Sequence, residues 1–306
     1  MDNFNSIIEL ISYFDTENKC LEYLEQKRWN GSIICPHCKN DKYYRFKDRK
    51  RFKCASCREQ FTAKIGTIFE DSKISLKKWF VAIYLNTAHK KGVSSHQLAK
   101  DIKVTQKTAW FMLQRIRFGL GADNSLDETL EDTVEVDETF VGGKNKNRHA
   151  DKKVKNSQGR SFKDKTPILG MMQRGGKVKT VVIPSTGREH VQPIVKKVVK
   201  PGTVLMTDEW WAYTGLNRIY DHYIVNHGAG EYVNGDIHTN NIEGFWPWIK
   251  RMISGVYHST SKKHLQFYAN EATFRYNTRT MTDGCRLDQA LTLINGRIKY
   301  HTLIGK

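Results

Sequence analysis

No run of 18 apolar residues occurs anywhere in the 306-residue chain, so no membrane-spanning helix is expected. The N-terminus, MDNFNSIIEL, lacks a basic segment, which argues against a secretory leader. Acids are scarce: 32 stand against 50 lysines and arginines, a formal net charge of +18. Such an excess destabilises a compact fold by self-repulsion unless an anionic partner offsets it. Nucleic acid is the leading partner, with an acidic membrane surface second, and a cytoplasmic protein at the bacterial nucleoid is expected. Internal repeats are absent too. Hydrophobic residues make up 39% of the chain, enough to build cores for two or three domains.

Cysteine is sparse, with six residues, yet four of them form two pairs. Cys35-Pro-His-Cys38 and Cys54-Ala-Ser-Cys57 are separated by fifteen residues. In a reducing compartment this spacing reads as two knuckles that complete one tetrahedral Zn²⁺ site. His37 lies inside a knuckle, but four thiolates already fill the shell. Cys20 and Cys285 stand alone and are expected to be inert. Between the knuckles, KYYRFKDRKRFKC alternates bulky and basic residues, as a short hairpin would.

Two short helices are predicted over residues 1–28, the first starting at Asn5 or Ser6. One amphipathic helix follows in SLKKWFVAIYLNTAHKKG. VSSHQLAKDIKVTQKTAWFMLQRIRFGL then has the form of a helix-turn-helix. Ser94 or Ser95 would cap the first helix, KVT would turn, and Thr105 would cap the second. That second helix would offer Gln106, Lys107 and Trp110 near its N-terminal end, where a recognition helix meets base edges.

From about residue 130 the pattern changes to strands: TVEVDETFVGG, TPILGMMQRG, KVKTVVIPS, GTVLMTDEWWAY and DHYIVNH. HVQPIVKKVVK reads as a helix with Pro193 near its first turn. The basic, apolar-poor stretch 144–165 reads as a loop on DNA, offering Lys144, Lys152, Lys153, Lys155 and Arg160. Two helices follow, through GDIHTNNIEGFWPWIKRM and KHLQFYANEATFRYNTR. An α/β fold with a mixed sheet flanked by helices is expected. Three segments result: helices and ribbon (1–66), a helix-turn-helix region (67–125) and the mixed-sheet domain (126–306).

Two apolar strands each end in an acid, Asp137 and Asp208, and each acid is followed by a glutamate, Glu138 or Glu209. Side chains alternate across a strand, so only one of each pair can share a face. Acids in apolar strands are costly unless paired or metal-bound. Glu243 is a third. Three carboxylates can hold two Mg²⁺ ions for chemistry at a phosphodiester. Lys250, about two helical turns after Glu243, would lie on the same helix face and hold a DNA phosphate. Arg251 is a further candidate for DNA contact. Pro247 inside this helix predicts a kink or a late start. Trp210, Trp211, Trp246 and Trp248 are expected in the core, and His227 and His238 in structural hydrogen bonds.

The ribbon cysteines, VEVDETFVGGK, TDEWWAY and HTNNIEGFWPWIKR together resemble the DDE transposases of the IS1595 group, with their ISXO2-like domain. The resemblance spans nearly the whole chain. It implies an RNase H-like catalytic fold that cuts and joins double-stranded DNA at insertion-sequence ends. Further implications are catalytic Mg²⁺ or Mn²⁺ beside structural Zn²⁺, and a homo-oligomer on DNA. In much of this group the third catalytic position is an asparagine followed by a lysine, so Asn240 and Glu243 both stand as third ligand. The rival functions are a DNA-binding regulator whose C-terminal half only dimerises, and an RNase H-like nuclease that cuts without joining.

Overall fold

The computed structural model describes residues 4–142, 149–153, 165–226 and 235–305. The chain forms two compact units. One comprises Met1–Ala122 together with Thr280–Lys306, and the other is Asp123–Arg279. This division differs from the three segments above, because the last 27 residues return to the N-terminal unit.

In that unit, Ser6 caps α1 (Ile7–Tyr13) and Thr16 caps α2 (Glu17–Trp29), each accepting a bond from an amide three residues on. The ribbon follows as an antiparallel three-stranded sheet of β1 (Tyr43–Arg45), β2 (Phe52–Cys54) and β3 (Gln60–Phe61). The expected hairpin is β1–β2; β3, only two residues long, gave no alternating pattern to read. Phe52 and Phe61 stack at 5.2 Å in the ribbon's small core, with Trp29 edge-on to both. Next come α3 (Leu76–Ala88), α4 (Ser95–Asp101) and α5 (Gln106–Leu120). Ser94 accepts from the Gln97 amide and Thr105 from the Thr108 amide, so both helices of the pair start where their caps predict. Lys103 takes a positive φ of 49° to make the turn between them.

The returning segment carries α9 (Asp283–Thr292) and α10 (Tyr300–Ile304), neither of which was anticipated. Thr282 caps α9, and Leu287, Ala290 and Leu291 give it an apolar side. Asp288 on that helix accepts bonds from the Tyr23 hydroxyl and the Lys27 amine, pinning it to α2. Its buried acid and short length hid it from a reading by hydrophobic period.

The second unit is built on a five-stranded sheet of order β6-β5-β4-β7-β8. Its strands are β4 (Thr133–Gly142), β5 (Lys165–Gln173), β6 (Val178–Val182), β7 (Val204–Asp208) and β8 (Asp221–Val225). β4, β5 and β6 run antiparallel in turn, whereas β7 is parallel to β4 and β8 to β7. This is the RNase H-like mixed sheet that was expected. α6 (Arg188–Val198) crosses between β6 and β7 and packs Val191, Val195 and Val198 against Val134, Val136 and Leu205. The helix begins earlier than expected, so Pro193 falls at its sixth residue rather than in its first turn. α7 (Asn240–Met252) and α8 (Leu265–Asn277) cover the opposite face, where Ile242, Phe245, Trp246 and Ala269 meet Ile168 and Met172.

Two local expectations are corrected here. β7 stops at Asp208 and does not continue through WWAY, because the Asp208 carboxylate accepts the Trp210 amide at 3.0 Å and turns the chain. Trp211 is consequently 51% exposed and lies beneath Arg188, outside the core. α7 does not start late: it begins at Asn240 and runs through Pro247, an exposed residue of its second half, to Met252.

Candidate active site

The ribbon shows how a short sequence makes a metal site. Lys39 and Arg58, each directly after the second cysteine of its pair, both have a positive φ, 63° and 64°. These matching turns swing the two knuckles around a common centre. The sulfurs of Cys35 and Cys57 lie 3.7 Å apart and those of Cys38 and Cys54 3.4 Å. All four are within 4.8 Å of one another. A tetrahedron with zinc–sulfur bonds of about 2.3 Å has an edge of about 3.8 Å, so the set fits zinc closely. Burial opposes ionisation of Cys54, but the Cys57 amide, the Cys38 thiol and the Ser56 amide outweigh it and bring its pKa down to about 6. His37 is exposed, consistent with a shell already complete.

The acids are assembled by the sheet. β4 and β7 pair in register from Thr133 beside Val204 to Glu135 beside Met206. Extended two residues beyond the last paired position, the same register brings Asp137 and Asp208 to equivalent heights, and the charge of Asp208 reaches Asp137. β7 ends at Asp208, but β4 runs on past Asp137 to Gly142, paired with β5, so Asp137 lies mid-strand and not at the expected strand end. Alternation sorts the neighbours as expected. Asp137 faces α7 and accepts a 2.7 Å bond from the Trp246 indole. Glu138 faces the other way and accepts one from the Tyr213 hydroxyl at 2.5 Å. Glu209 is exposed.

Glu243 lies in the first turn of α7, half-buried, and accepts a bond from the Thr239 hydroxyl at 2.7 Å. The pKa of Asp137 is pushed up to about 6, chiefly by burial, with the charges of Asp208 and Glu243 adding to it against the bonds from Trp246 and the Glu138 amide. The three negative charges therefore share one neighbourhood. They are gathered more loosely than the thiols: among the described residues, only the four cysteines place three or more ligand atoms all within 4.8 Å. Asn240 and Lys250 are both exposed, one turn before and two turns after Glu243.

Two residues that shape this site were missed in the sequence. Glu135, fully buried on the same face as Asp137, ion-pairs with Arg174 at 2.7 Å and accepts the Asn241 and Ile242 amides. Its only sequence mark was to be an acid between two valines. Gly170 on β5 lies opposite Asp137. A Cβ there would stand 2.3 Å from the Trp246 ring and 2.9 Å from Ile242, so glycine lets α7 come close enough for the indole to reach Asp137.

A model of the ISXO2-like transposase domain matches residues 129–277, and one of the transposase zinc-ribbon domain matches residues 15–60. A protein of transposable element ISH50 from Halobacterium salinarum is 30% identical over 270 residues, covering 84% of this chain and 90% of that one. The chain belongs to the IS1595 family of transposases. A transposase-like protein of Haemophilus influenzae is 29% identical over 102 residues, 33% of this chain and 81% of its own. A chain from the crystal structure of the Mos1 strand transfer complex aligns over 68% of this chain and 75% of that one, at 11% identity and a TM-score of 0.22, a likeness too slight to carry an argument.

The other candidate residues of this transposase divide by location. Gln106 begins α5 and donates to the Ser95 hydroxyl at 2.8 Å. Lys107 is exposed, with its amine 5.0 Å from the centre of the Tyr300 ring. Arg251 is exposed in the last turn of α7. Lys153 is exposed, and Lys152 ends a single helical turn, Ala150–Lys152. Lys144, Lys155, Arg160 and His227 lie outside the described residues, as does most of the basic stretch; Lys165, at its end, begins β5. His238 joins the Glu135–Arg174 group, 3.0 Å from Arg174. No helix among the described residues is long and apolar enough to cross a membrane.

Proposed function

We propose that this transposase cuts and joins DNA at the ends of an insertion sequence, using divalent cations held by Asp137, Asp208 and Glu243. The observation that carries the reading is that Asp137 and Asp208 come from adjacent parallel strands, with the charges of Asp208 and Glu243 both reaching the buried Asp137. The donor set fits Mg²⁺ or Mn²⁺, which favour hard carboxylate oxygens. The charge of Glu135 is met by Arg174, whereas no lysine or arginine among the described residues pairs with Asp137. A bound cation would stabilise the charged form of Asp137, a buried acid near two others.

When bound, two such ions supply activation of the attacking oxygen and charge stabilisation on the departing one. The chain's own residues set the geometry. Trp246 orients the Asp137 carboxylate, and the Trp210 amide orients that of Asp208. Glu243 is the third ligand in this reading because a carboxylate binds Mg²⁺ better than the amide of Asn240 and because it is the half-buried one of the two. Lys250 and Arg251, exposed further along α7, hold DNA phosphates. In cleavage, water attacks phosphorus and the 3′ oxygen departs. In joining, that 3′ hydroxyl attacks a target phosphodiester and a new 3′ oxygen departs. The ribbon and the α4–α5 pair bind the ends, with Gln106 and Lys107 at the helix start, and subunits act in pairs on paired ends.

The test is incubation of the intact protein with Mg²⁺ or Mn²⁺ and DNA carrying the element's terminal inverted repeats. Cleavage with joined products supports the reading. Cleavage alone makes the protein a nuclease, and binding without cleavage makes it a regulator.

A further inference from the structure

The N-terminus of α7 is capped from outside the helix. Thr239 holds the N-cap position, yet its side chain bonds none of the first amides. Glu135, on a strand 106 residues earlier, does that work. One of its oxygens accepts the amides of Asn241 at 2.9 Å and Ile242 at 3.0 Å. The other accepts the Asn241 side chain and the Arg174 guanidinium, both at 2.7 Å. Arg174 also donates to the carbonyls of Asp236 at 2.7 Å and His238 at 2.9 Å, which lead into the helix. With the cap supplied by a strand, the Thr239 hydroxyl is turned to Glu243, one helical turn along, at 2.7 Å. Thr239 is itself buried, so this hydroxyl is held in place.

We propose that Glu135, Arg174 and Thr239 are positioning residues for transposition. The Glu135–Arg174 pair fixes where α7 begins on the sheet, and Thr239 aims the Glu243 carboxylate at the cation site beside Asp137. Glu135 is not a ligand, although it lies one pleat from Asp137 on the same face, because each of its oxygens already accepts two bonds. The proposal rests on reading Asp137, Asp208 and Glu243 as the cation site. Groups that orient a metal ligand typically govern metal affinity or activity by about 10–100-fold.

The experiment measures Mn²⁺ binding to the intact, zinc-loaded protein by electron paramagnetic resonance, beside amide hydrogen exchange over α7. Thr239→Val should raise the Mn²⁺ concentration for half-saturation by about tenfold or more, and Thr239→Ser, which keeps the hydroxyl, should restore it. Glu135→Gln should speed exchange at the Asn241 and Ile242 amides and shift Mn²⁺ binding in the same direction. If Glu135→Gln does not fold, Arg174→Lys serves, since it keeps the charge but loses the fork that reaches Asp236 and His238. Wild-type Mn²⁺ binding by Thr239→Val would overturn the proposal. Asp137→Asn separates the two levels. Unchanged Mn²⁺ binding in that variant would remove the cation site itself. Weakened binding there, with Thr239→Val unaffected, would remove only the positioning role.

Discussion

In the zinc ribbon all four ligands fall within 23 residues, Cys35 to Cys57, and each pair is set by its own tight turn. In the catalytic domain the three acids span 107 residues, Asp137 to Glu243, and come from two strands and a helix. The thiols lie within 4.8 Å of one another, whereas the acids sense each other through space without gathering so tightly. On the function proposed above, the contrast follows from the work each site would do. A structural zinc site is closed, with every position filled by protein. A site for phosphodiester chemistry must leave positions for phosphate and water, so its protein ligands are fewer and the scaffold around them holds the geometry. Local turns suffice for the first, and only a sheet with a helix laid across it makes the second.

The sharpest way to break the comparison is to remove zinc. Structural zinc in small modules contributes on the order of 10–16 kcal/mol, more than a ribbon core of Phe52, Phe61 and a few neighbours can replace. Cys54→Ser should unfold the ribbon, as read by loss of bound zinc and by protease cutting within residues 30–62. The Asp123–Arg279 unit should stay protected. A zinc-free wild-type ribbon that resists protease would contradict the local construction argued above.

Next in size are the acids. Asp137→Ala, Asp208→Ala and Glu243→Ala should each lower DNA cleavage by at least about 10²-fold while a gel shift on the same DNA is unchanged, because a displaced ligand misplaces the attacking oxygen. Asn240→Ala should be milder. Full cleavage by Glu243→Ala with loss in Asn240→Ala would exchange their roles.

A third prediction concerns stability in the absence of divalent metal. The folded pKa of Asp137 lies near 6, above its ordinary 3.8, so ionising it costs the fold free energy. Above pH 6 the cost is fully present, on the order of 3 kcal/mol at most. As pH falls from 6 toward 3.8 the folded carboxyl takes up its proton first and the cost disappears. Asp137→Asn should therefore stabilise the metal-free protein at pH 7 and lose that advantage near pH 4, as followed by thermal melts. An equal gain at both pH values would show that burial of this charge is not what the fold tolerates.

The smallest effect is expected at Gly170. Gly170→Ala drives a methyl into the Trp246 ring and should cost about 1–3 kcal/mol, with the indole moved off Asp137. Thermal melts read the first and the change in indole fluorescence the second. An unperturbed melt would mean that α7 lifts without penalty.

Several features were written in the sequence because they depend on neighbours along the chain. The knuckle spacing announced the ribbon. Ser94 and Thr105 announced two helix starts by the amides they accept. Alternation in VEVDETF separated Asp137 from Glu138 before any strand was seen to pair. By contrast, β-register is a relation between distant segments, so the parallel pairing of β4 with β7 that brings Asp137 and Asp208 onto adjacent strands could be expected but not read. The roles of Glu135 and Gly170 were invisible for the same reason. One is a cap whose helix begins 105 residues later, and the other is a glycine whose need arises only from a tryptophan on another element. The return of residues 280–306 to the N-terminal unit was hidden as well, because Asp288 on the buried side of the short α9 interrupts its apolar period and nothing in the sequence names its partner. Sequence alone determined the zinc ligands, the helix caps and which acids could share a face, since turns, caps and alternation act over a few residues. Tertiary structure decided which acids meet, what holds them and how closely α7 approaches, since these follow from the packing of surfaces far apart in the chain.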